Sequence, residues 1–353
     1  SGGQVVGLIA LSLLMLEIAR RTYTCGMRDT AAMYRFVQLL IRNVIWMLFL
    51  CSAVVVSMHI YRPEWSGLDR LLTENGYTGL AHPTAAGATA SIGVALLWLA
   101  HMIGVVRVHW ALRLLFTAVH AMALAWSASR TSMATAMVPI LIAFAFYGSR
   151  RLLMGGLIFV MAVSVVLLVL DPGLEWGGAV LGSGEDIVRR GQSNRELSQM
   201  SGRAEMWAAI YDEFTDAPVM GHGYFVSSAR GKLYVWNIWA NHTAHHLFLQ
   251  VMVSTGLVGL VFFCWQLIAA ASSTMGLIRS GQSFQRRVGV LACFIALWFL
   301  IWGQTCNTFL GPLRPECLAF FSLFGILMGV SATNDHCSAD HDDTSSNPVE
   351  VVR

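Results

Sequence analysis

Apolar runs of bilayer length recur along this 353-residue chain, at roughly 4–19, 38–60, 81–106, 110–129, 131–147, 152–170, 244–270, 288–305 and 316–331. About 20 apolar residues in a helix cross the hydrocarbon core of a bilayer. In lipid every backbone N–H and C=O must be satisfied within the protein, which a helix does along its own length. The pattern therefore predicts an all-α, polytopic transmembrane helical bundle of about nine spans, with one large, mainly helical loop outside the membrane. Composition agrees, because the chain is 56% hydrophobic and only 12% charged, whereas soluble domains are about a quarter charged. The fourth and fifth runs are separated by so little that a tight helical hairpin and one broken helix both fit.

Basic residues mark alternate loops, as one consistent topology requires. Arg20, Arg21, Arg28 and Arg35 follow the first run, Arg107 and Arg113 the third, Arg150 and Arg151 the fifth, and Arg279, Arg286 and Arg287 the seventh. The opposite loops are acidic or mixed. Segment 61–80 sets Glu64, Asp69 and Glu74 against Arg62 and Arg70, and segment 171–243 has nine acids against six bases. The expected organisation is N-terminal transmembrane helices over 1–170, a large periplasmic loop over 171–243, C-terminal transmembrane helices over 244–331 and a disordered, acidic cytoplasmic tail over 332–353. An N-terminus on the outer face, opening Ser1-Gly2-Gly3 without a charged leader, suggests that earlier spans of a longer protein are missing. Within the loop, Met206, Trp207, Ile210 and Phe214 recur at helical spacing, and Asp216-Ala217-Pro218 ends that helix. Tyr234, Trp236 and Trp239 suit a membrane interface.

Charged and titratable residues at the ends of the runs are the candidates for chemistry, because ionisable groups near lipid are costly to keep. Arg130, in Ser127-Ala128-Ser129-Arg130, lies where the basic-loop rule disfavours arginine. It reads either as an anion clamp or as a snorkelling side chain. Arg203 stands at the start of the loop helix, with Ser201 before it as a cap and Glu205 behind it. A helix start beside an arginine suits a phosphate, and a surface ion pair is the plainer reading. Histidines cluster at 242, 245 and 246, with His82 at the start of another run. Imidazole works as a base near neutral pH. No carboxylate or cysteine pattern accompanies them, and the seven scattered cysteines form no CxxC pair, so a metal site is not expected. No phosphate-binding loop, dinucleotide fingerprint or nucleophile elbow occurs. Gly221-His222-Gly223-Tyr224 reads as a turn.

The order of these signals says more than any one of them. Gly79-Leu80-Ala81-His82-Pro83 is followed by Ser127-Ala128-Ser129-Arg130, then by Ser201-Gly202-Arg203-Ala204-Glu205-Met206-Trp207. Ala217-Pro218-Val219-Met220-Gly221-His222-Gly223 comes next, then Ala244-His245-His246-Leu247-Phe248-Leu249-Gln250 and Thr255-Gly256-Leu257-Val258-Gly259-Leu260. Over about 79–265 the chain resembles the bacterial O-antigen ligase and exopolysaccharide polymerase family. The resemblance implies a multi-pass inner-membrane glycosyltransferase that needs no nucleotide, metal or other cofactor. Its donor would be a glycan on undecaprenyl pyrophosphate, and its acceptor lipid A–core or a growing polysaccharide. Its surroundings would be membrane lipids, with no nucleic acid involved.

By the same resemblance Arg130 and Arg203 hold the pyrophosphate and stabilise the leaving group. His245 takes the proton of the acceptor hydroxyl. His246, His82, Ser129, Trp207, Gly221 and Gly223 surround the substrate. The chain departs from the family at position 246, where Asn is common and His stands. Ligase and polymerase share these motifs. A secondary transporter using Arg130 and His245 is the alternative of a different class, and the absence of an internal repeat argues against it.

Overall fold

The computed structural model describes residues 2–66, 68, 82–127, 129–147, 203–223, 226, 228, 230, 232–235, 238–240, 243–304, 306 and 314–345; for residues 2–4, 130, 238–240 and 335–345 it describes the backbone alone. The expected span at 152–170, the paired Arg150 and Arg151, and His242 lie outside these residues.

Ten helices and one hairpin follow in order among the described residues: α1 (Gly2–Arg28), α2 (Thr30–Tyr61), α3 (Pro63–Ser66), α4 (Pro83–Met102), α5 (Trp110–Ser127), α6 (Arg130–Tyr147), α7 (Arg203–Asp216), β1 (Leu233–Val235), β2 (Ile238–Ala240), α8 (Leu247–Arg279), α9 (Ser283–Gly303) and α10 (Pro315–Ser345). Six of these helices, α2, α4, α5, α8, α9 and α10, are long and apolar enough to cross a membrane, and Thr131–Tyr147 adds a shorter apolar helix. The chain is thus a multi-pass helical membrane protein, with six such spans among the described residues where nine were expected over the whole chain. The last helix runs to Ser345, so the tail expected to be disordered from 332 begins as helix.

Asp29 starts α2, its carboxylate accepting from the backbone N–H groups of Ala31 and Ala32. α1 lies beside α10, where Gly325 and Gly329 bring the backbones so close that a Cβ would meet the Met15 carbonyl at 2.6 Å and the Thr22 Cβ at 2.5 Å. Four-residue spacing of small residues on one face is a recurrent way for helices to pack in lipid. The main core gathers Ile41, Ile45 and Leu48 of α2, Ile92, Leu96 and Leu99 of α4, and Trp298 and Trp302 of α9.

The geometry around α4 decides between the two readings of the fourth and fifth runs. Down α4, Trp98 bonds to Thr117, Gly93 lies on His120, and Gly87 lies beside Ser127 and Ser132. Ser91 bonds to Thr135. Residue numbers on α5 therefore fall as those on α4 rise, while those on α6 rise with them. The chain therefore reverses between α5 and α6, which form a hairpin splayed around α4.

At one end of the bundle Gln38 donates to the Val105 carbonyl, Tyr34 to Gln282, and Arg287 to the Gly104 carbonyl. This is the arginine-rich face. The other end carries α7, the hairpin and the start of α8, and is the loop face. Here the structure adds strand to an expected all-α chain. β1 and β2 pair antiparallel, Leu233 opposite Ala240 and Val235 opposite Ile238. Leu233 and Val235 are buried and Tyr234 between them is exposed, the period-two alternation of a half-buried strand. Three residues are too few for that period to stand out in a sequence.

Helix α8 breaks at Gly256, whose backbone (φ 65°, ψ −165°) is not helical. The 23 residues from Leu257 to Arg279 suffice to cross a bilayer at about 1.5 Å per residue. Leu247–Thr255 forms a separate segment at the loop face. Its apolar residues Leu249, Met252 and Val253 pack with Met206, Ile210 and Phe214 of α7 and with Leu233 and Val235 of the hairpin. The backbone groups released by the break find partners in one turn. Leu257 and Val258 N–H donate to the carbonyls of Pro218 and Val219, while Val253 and Ser254 carbonyls accept from His222 and Gly223. Glycine stands where the two backbones touch, because a Cβ on Gly256 would collide with the Val219 carbonyl. Gly256→Ala is expected to lower stability by more than about 1 kcal/mol. Gly276→Ala, with nothing within 4 Å of its Cβ, is expected to leave the melting temperature of the detergent-solubilised protein unchanged. Equal melting of the two variants would refute the packed break.

Candidate active site

The loop face is organised around one short turn, Ala244-His245-His246. Both backbone groups of Ala244 are committed. Its N–H donates to Gln250 Oε1 at 2.9 Å, and its carbonyl accepts from Trp207 Nε1 at 2.9 Å. Gln250, buried in the next turn, passes its own N–H to Ser254 Oγ at 2.8 Å, and Ser254 donates to the Val226 carbonyl at 3.0 Å. Two sequence motifs thus meet here: the Trp of Arg203-x-x-x-Trp207 holds the turn that carries the histidines.

His246 is the N-cap of α8. Its backbone is extended, and its Nδ1 accepts from the Leu249 N–H at 3.3 Å. Its carbonyl accepts from the Gln250 N–H at 2.9 Å. With Nδ1 an acceptor, the proton of the neutral ring sits on Nε2. Asn is among the best N-cap residues because its side-chain oxygen accepts the same bond. The departure from the family at 246 therefore exchanges one capping acceptor for another. The Trp207 and His246 rings meet edge to face at 5.3 Å.

His245, between these two anchored residues, is exposed and has φ 45°. It is the sole non-glycine residue in the left-handed region among the described residues. Such a conformation costs about 1–3 kcal/mol and persists where the surroundings over-determine it, most often at functional sites. The bonds on Ala244 and His246 supply that determination.

Arg203 is the first residue of α7, one helical turn before Trp207 on the same face, and is half-buried. Ser201, the expected cap, lies outside the described residues, as does the side chain of Arg130. The backbone of Arg130 begins α6. Ser129 Oγ accepts from the N–H of Ser132 at 3.4 Å and from its hydroxyl at 2.7 Å, so Ser129 caps that helix. From it a chain of buried polar groups runs inward. Thr135 donates to the Ser132 carbonyl at 3.0 Å, Ser91 and Thr135 share a hydroxyl bond of 2.7 Å, and Trp298 Nε1 donates to Ser91 at 2.7 Å. The turn bearing Arg130 is thereby tied to α4 and α9.

His82 caps α4 through Nδ1, which accepts from the Thr84 N–H at 3.3 Å. Burial, and then the nearby Arg314 guanidinium, hold its pKa below the usual histidine value. Gly221 belongs to the turn against the α8 break, and Gly223 has open space around its Cα. Sequence reasoning missed Arg314 and Glu316, which flank Pro315 at the start of α10 and line a cavity with His82. The available signal was an Arg-Pro-Glu step opening an apolar run.

Burial pushes the His246 pKa below the usual 6.5, against the opposing bond to Gln304. The unfolded chain then takes up a proton that the folded ring resists, so stability is present above the unfolded pKa and is lost as pH falls below it. Lowering pH from about 7 to about 5 should therefore lower the melting temperature, and His246→Asn should remove part of that slope. His246→Ala, losing the cap, should cost about 1 kcal/mol at neutral pH. An unchanged slope in His246→Asn would show that the ring is not held neutral.

Residues 113–264 match the family model described as O-antigen ligase. The matched stretch runs from α5 into α8 and contains Arg130, Arg203, His245 and the α8 break. No curated protein matches the chain.

Proposed function

We propose that this chain, which carries an O-antigen ligase domain over residues 113–264, transfers a glycan from undecaprenyl pyrophosphate to an acceptor hydroxyl on lipid A–core, at the periplasmic face of the inner membrane. The observation that carries the reading is His245, strained and exposed between two anchored neighbours within the matched domain. In this reading His245 accepts the proton of the acceptor hydroxyl as its oxygen attacks the anomeric carbon. The bond from that carbon to the pyrophosphate oxygen breaks, and the pyrophosphate leaves on its lipid.

Arg130 and Arg203 hold the leaving group. Each is the first residue of a helix, where the exposed N–H groups and the helix dipole favour an anion beside the guanidinium. Support for a common site comes from α9. It joins the network below Arg130 through Trp298, and its end touches the His245 side of the molecule, with Gly303 against Leu247. Position 246 then serves the helix start, and position 245 serves the chemistry. Joining lipid-linked repeats as a polymerase uses the same groups with a second lipid-linked glycan as acceptor.

His245→Ala is expected to abolish surface glycan transfer in a null strain while the protein still inserts and accumulates, since loss of a general base costs about 10²–10⁴-fold. Full activity in His245→Ala with loss in His246→Asn would move the assignment by one residue and break the reading.

Topology is tested separately at Ala204, which is exposed on α7. In a cysteine-free background, Ala204→Cys should react with a membrane-impermeant thiol reagent in intact spheroplasts. Reaction only after permeabilisation would reverse the orientation.

A further inference from the structure

Away from the His245 turn, the loop face holds a mainly apolar cavity with a few polar groups on its wall. It has a volume of about 570 Å³ and lies between α2, α4, α5 and the start of α10, within the range of small-ligand sites. Glu316 forms part of its wall and is 0% exposed. One carboxylate oxygen, Oε2, accepts from Thr89 Oγ1 at 3.0 Å. The other, Oε1, has no hydrogen-bond partner among the described residues. Arg314, two residues earlier on the same wall, makes no ion pair or side-chain hydrogen bond among the described residues. His82 lines the cavity with its Nδ1 engaged by the Thr84 N–H.

A buried carboxylate oxygen without a partner is costly to maintain, and here its residue lines a cavity that Arg314 lines too. A phosphate offers only acceptors and would meet that oxygen with repulsion. A cation would meet Arg314. A hydroxyl can donate to Glu316 Oε1 and accept from Arg314 or His82 at the same time. The cavity is also open sideways. Leu50 and Val54 of α2, on its wall, are 55% and 50% exposed on a helix apolar enough to span a bilayer. The occupant therefore combines a hydroxyl-rich head with an apolar tail.

We propose that this cavity binds the sugar headgroup of a glycolipid that enters from the bilayer, with Glu316 and Arg314 as the groups that hold its hydroxyls. The inference rests on the glycan-transfer reading for its context, and it adds a second lipid-facing subsite on the same face as His245.

The test uses the full chain in detergent, titrated with monoglucosyl diacylglycerol and, in parallel, with phosphatidylglycerol, and reads lipid adducts by native mass spectrometry. In Glu316→Gln the amide oxygen keeps the Thr89 bond and an NH₂ replaces Oε1, so an acceptor facing the hydroxyl becomes a donor. Glucolipid affinity should fall about tenfold or more, the equivalent of one charge-assisted hydrogen bond, with phosphatidylglycerol adducts unchanged. Arg314→Gln should weaken the same adduct and carries the test if Glu316→Gln melts below the working temperature. Glucolipid adducts that are absent, or equal in the wild type and both variants, would overturn the proposal. Loss of phosphatidylglycerol alone in Arg314→Gln would make the cavity a phosphate site and overturn it too. His245→Ala should keep glucolipid binding intact. A His245→Ala protein that still transfers glycan defeats the catalytic reading without touching this one, and glucolipid binding indifferent to Glu316 defeats this one alone.

Discussion

Two hydrogen bonds close on Ala244, one from Trp207 and one to Gln250, and the arrangement of the loop face depends on them. They fix the residue before His245, and the α8 cap fixes the residue after it. Each such bond contributes about 1 kcal/mol net, while a left-handed non-glycine residue costs about 1–3 kcal/mol. Three or four bonds therefore outweigh the strain and leave one backbone conformation for His245. The contacts of α7 with Leu249, Met252 and Val253 then set where Arg203 stands relative to that turn. The Trp207 bond adds direction to the apolar contact between the loop helix and α8, which has none of its own.

The same economy governs polar groups within the bundle. Ser129, Ser132, Thr135, Ser91 and Trp298 are tied into one buried hydrogen-bonded chain, and in lipid each would otherwise be an unsatisfied donor or acceptor. The chain links three helices at the level where the α5–α6 hairpin turns. The break in α8 follows the same rule: its backbone donors and acceptors are taken up by the Pro218–Gly223 turn, so non-helical backbone is covered by protein.

Hydropathy made the spans legible because length and apolarity are what a bilayer demands, and 3.6-residue spacing did the same for α7 through Met206, Ile210 and Phe214. Two other features were hidden for physical reasons. The hairpin strands are three residues each, below the length at which alternation emerges from chance. The Glu316 cavity is assembled from helices distant in sequence, and no local spacing records that Thr89 and Glu316 will meet. The residues of the Ser-x-Ser-Arg, Arg-x-x-x-Trp and Pro-x-x-Gly-x-Gly motifs were legible as a set, but their division of labour was not. Ser129, Trp207 and Gly221 hold backbone in place here, a role that identity alone does not reveal. His246 shows the converse. In the sequence it is a departure whose role is open, and as an N-cap acceptor it keeps the bond that matters.

Glycan transfer between two lipid-borne substrates imposes a geometric demand: two tails must remain in the bilayer while two headgroups meet above it. In the proposed reading, the cavity between α2 and α10, with the exposed Leu50 and Val54 on its wall, receives one of them. Gln304, which follows Gly303 packed against Leu247, and Arg314, on the cavity wall, are the two ends of the one segment 304–314 that joins α9 to α10. In the proposed reading, a headgroup held at Arg314 and Glu316 lies at one end of that segment, and the turn that carries the base lies at the other.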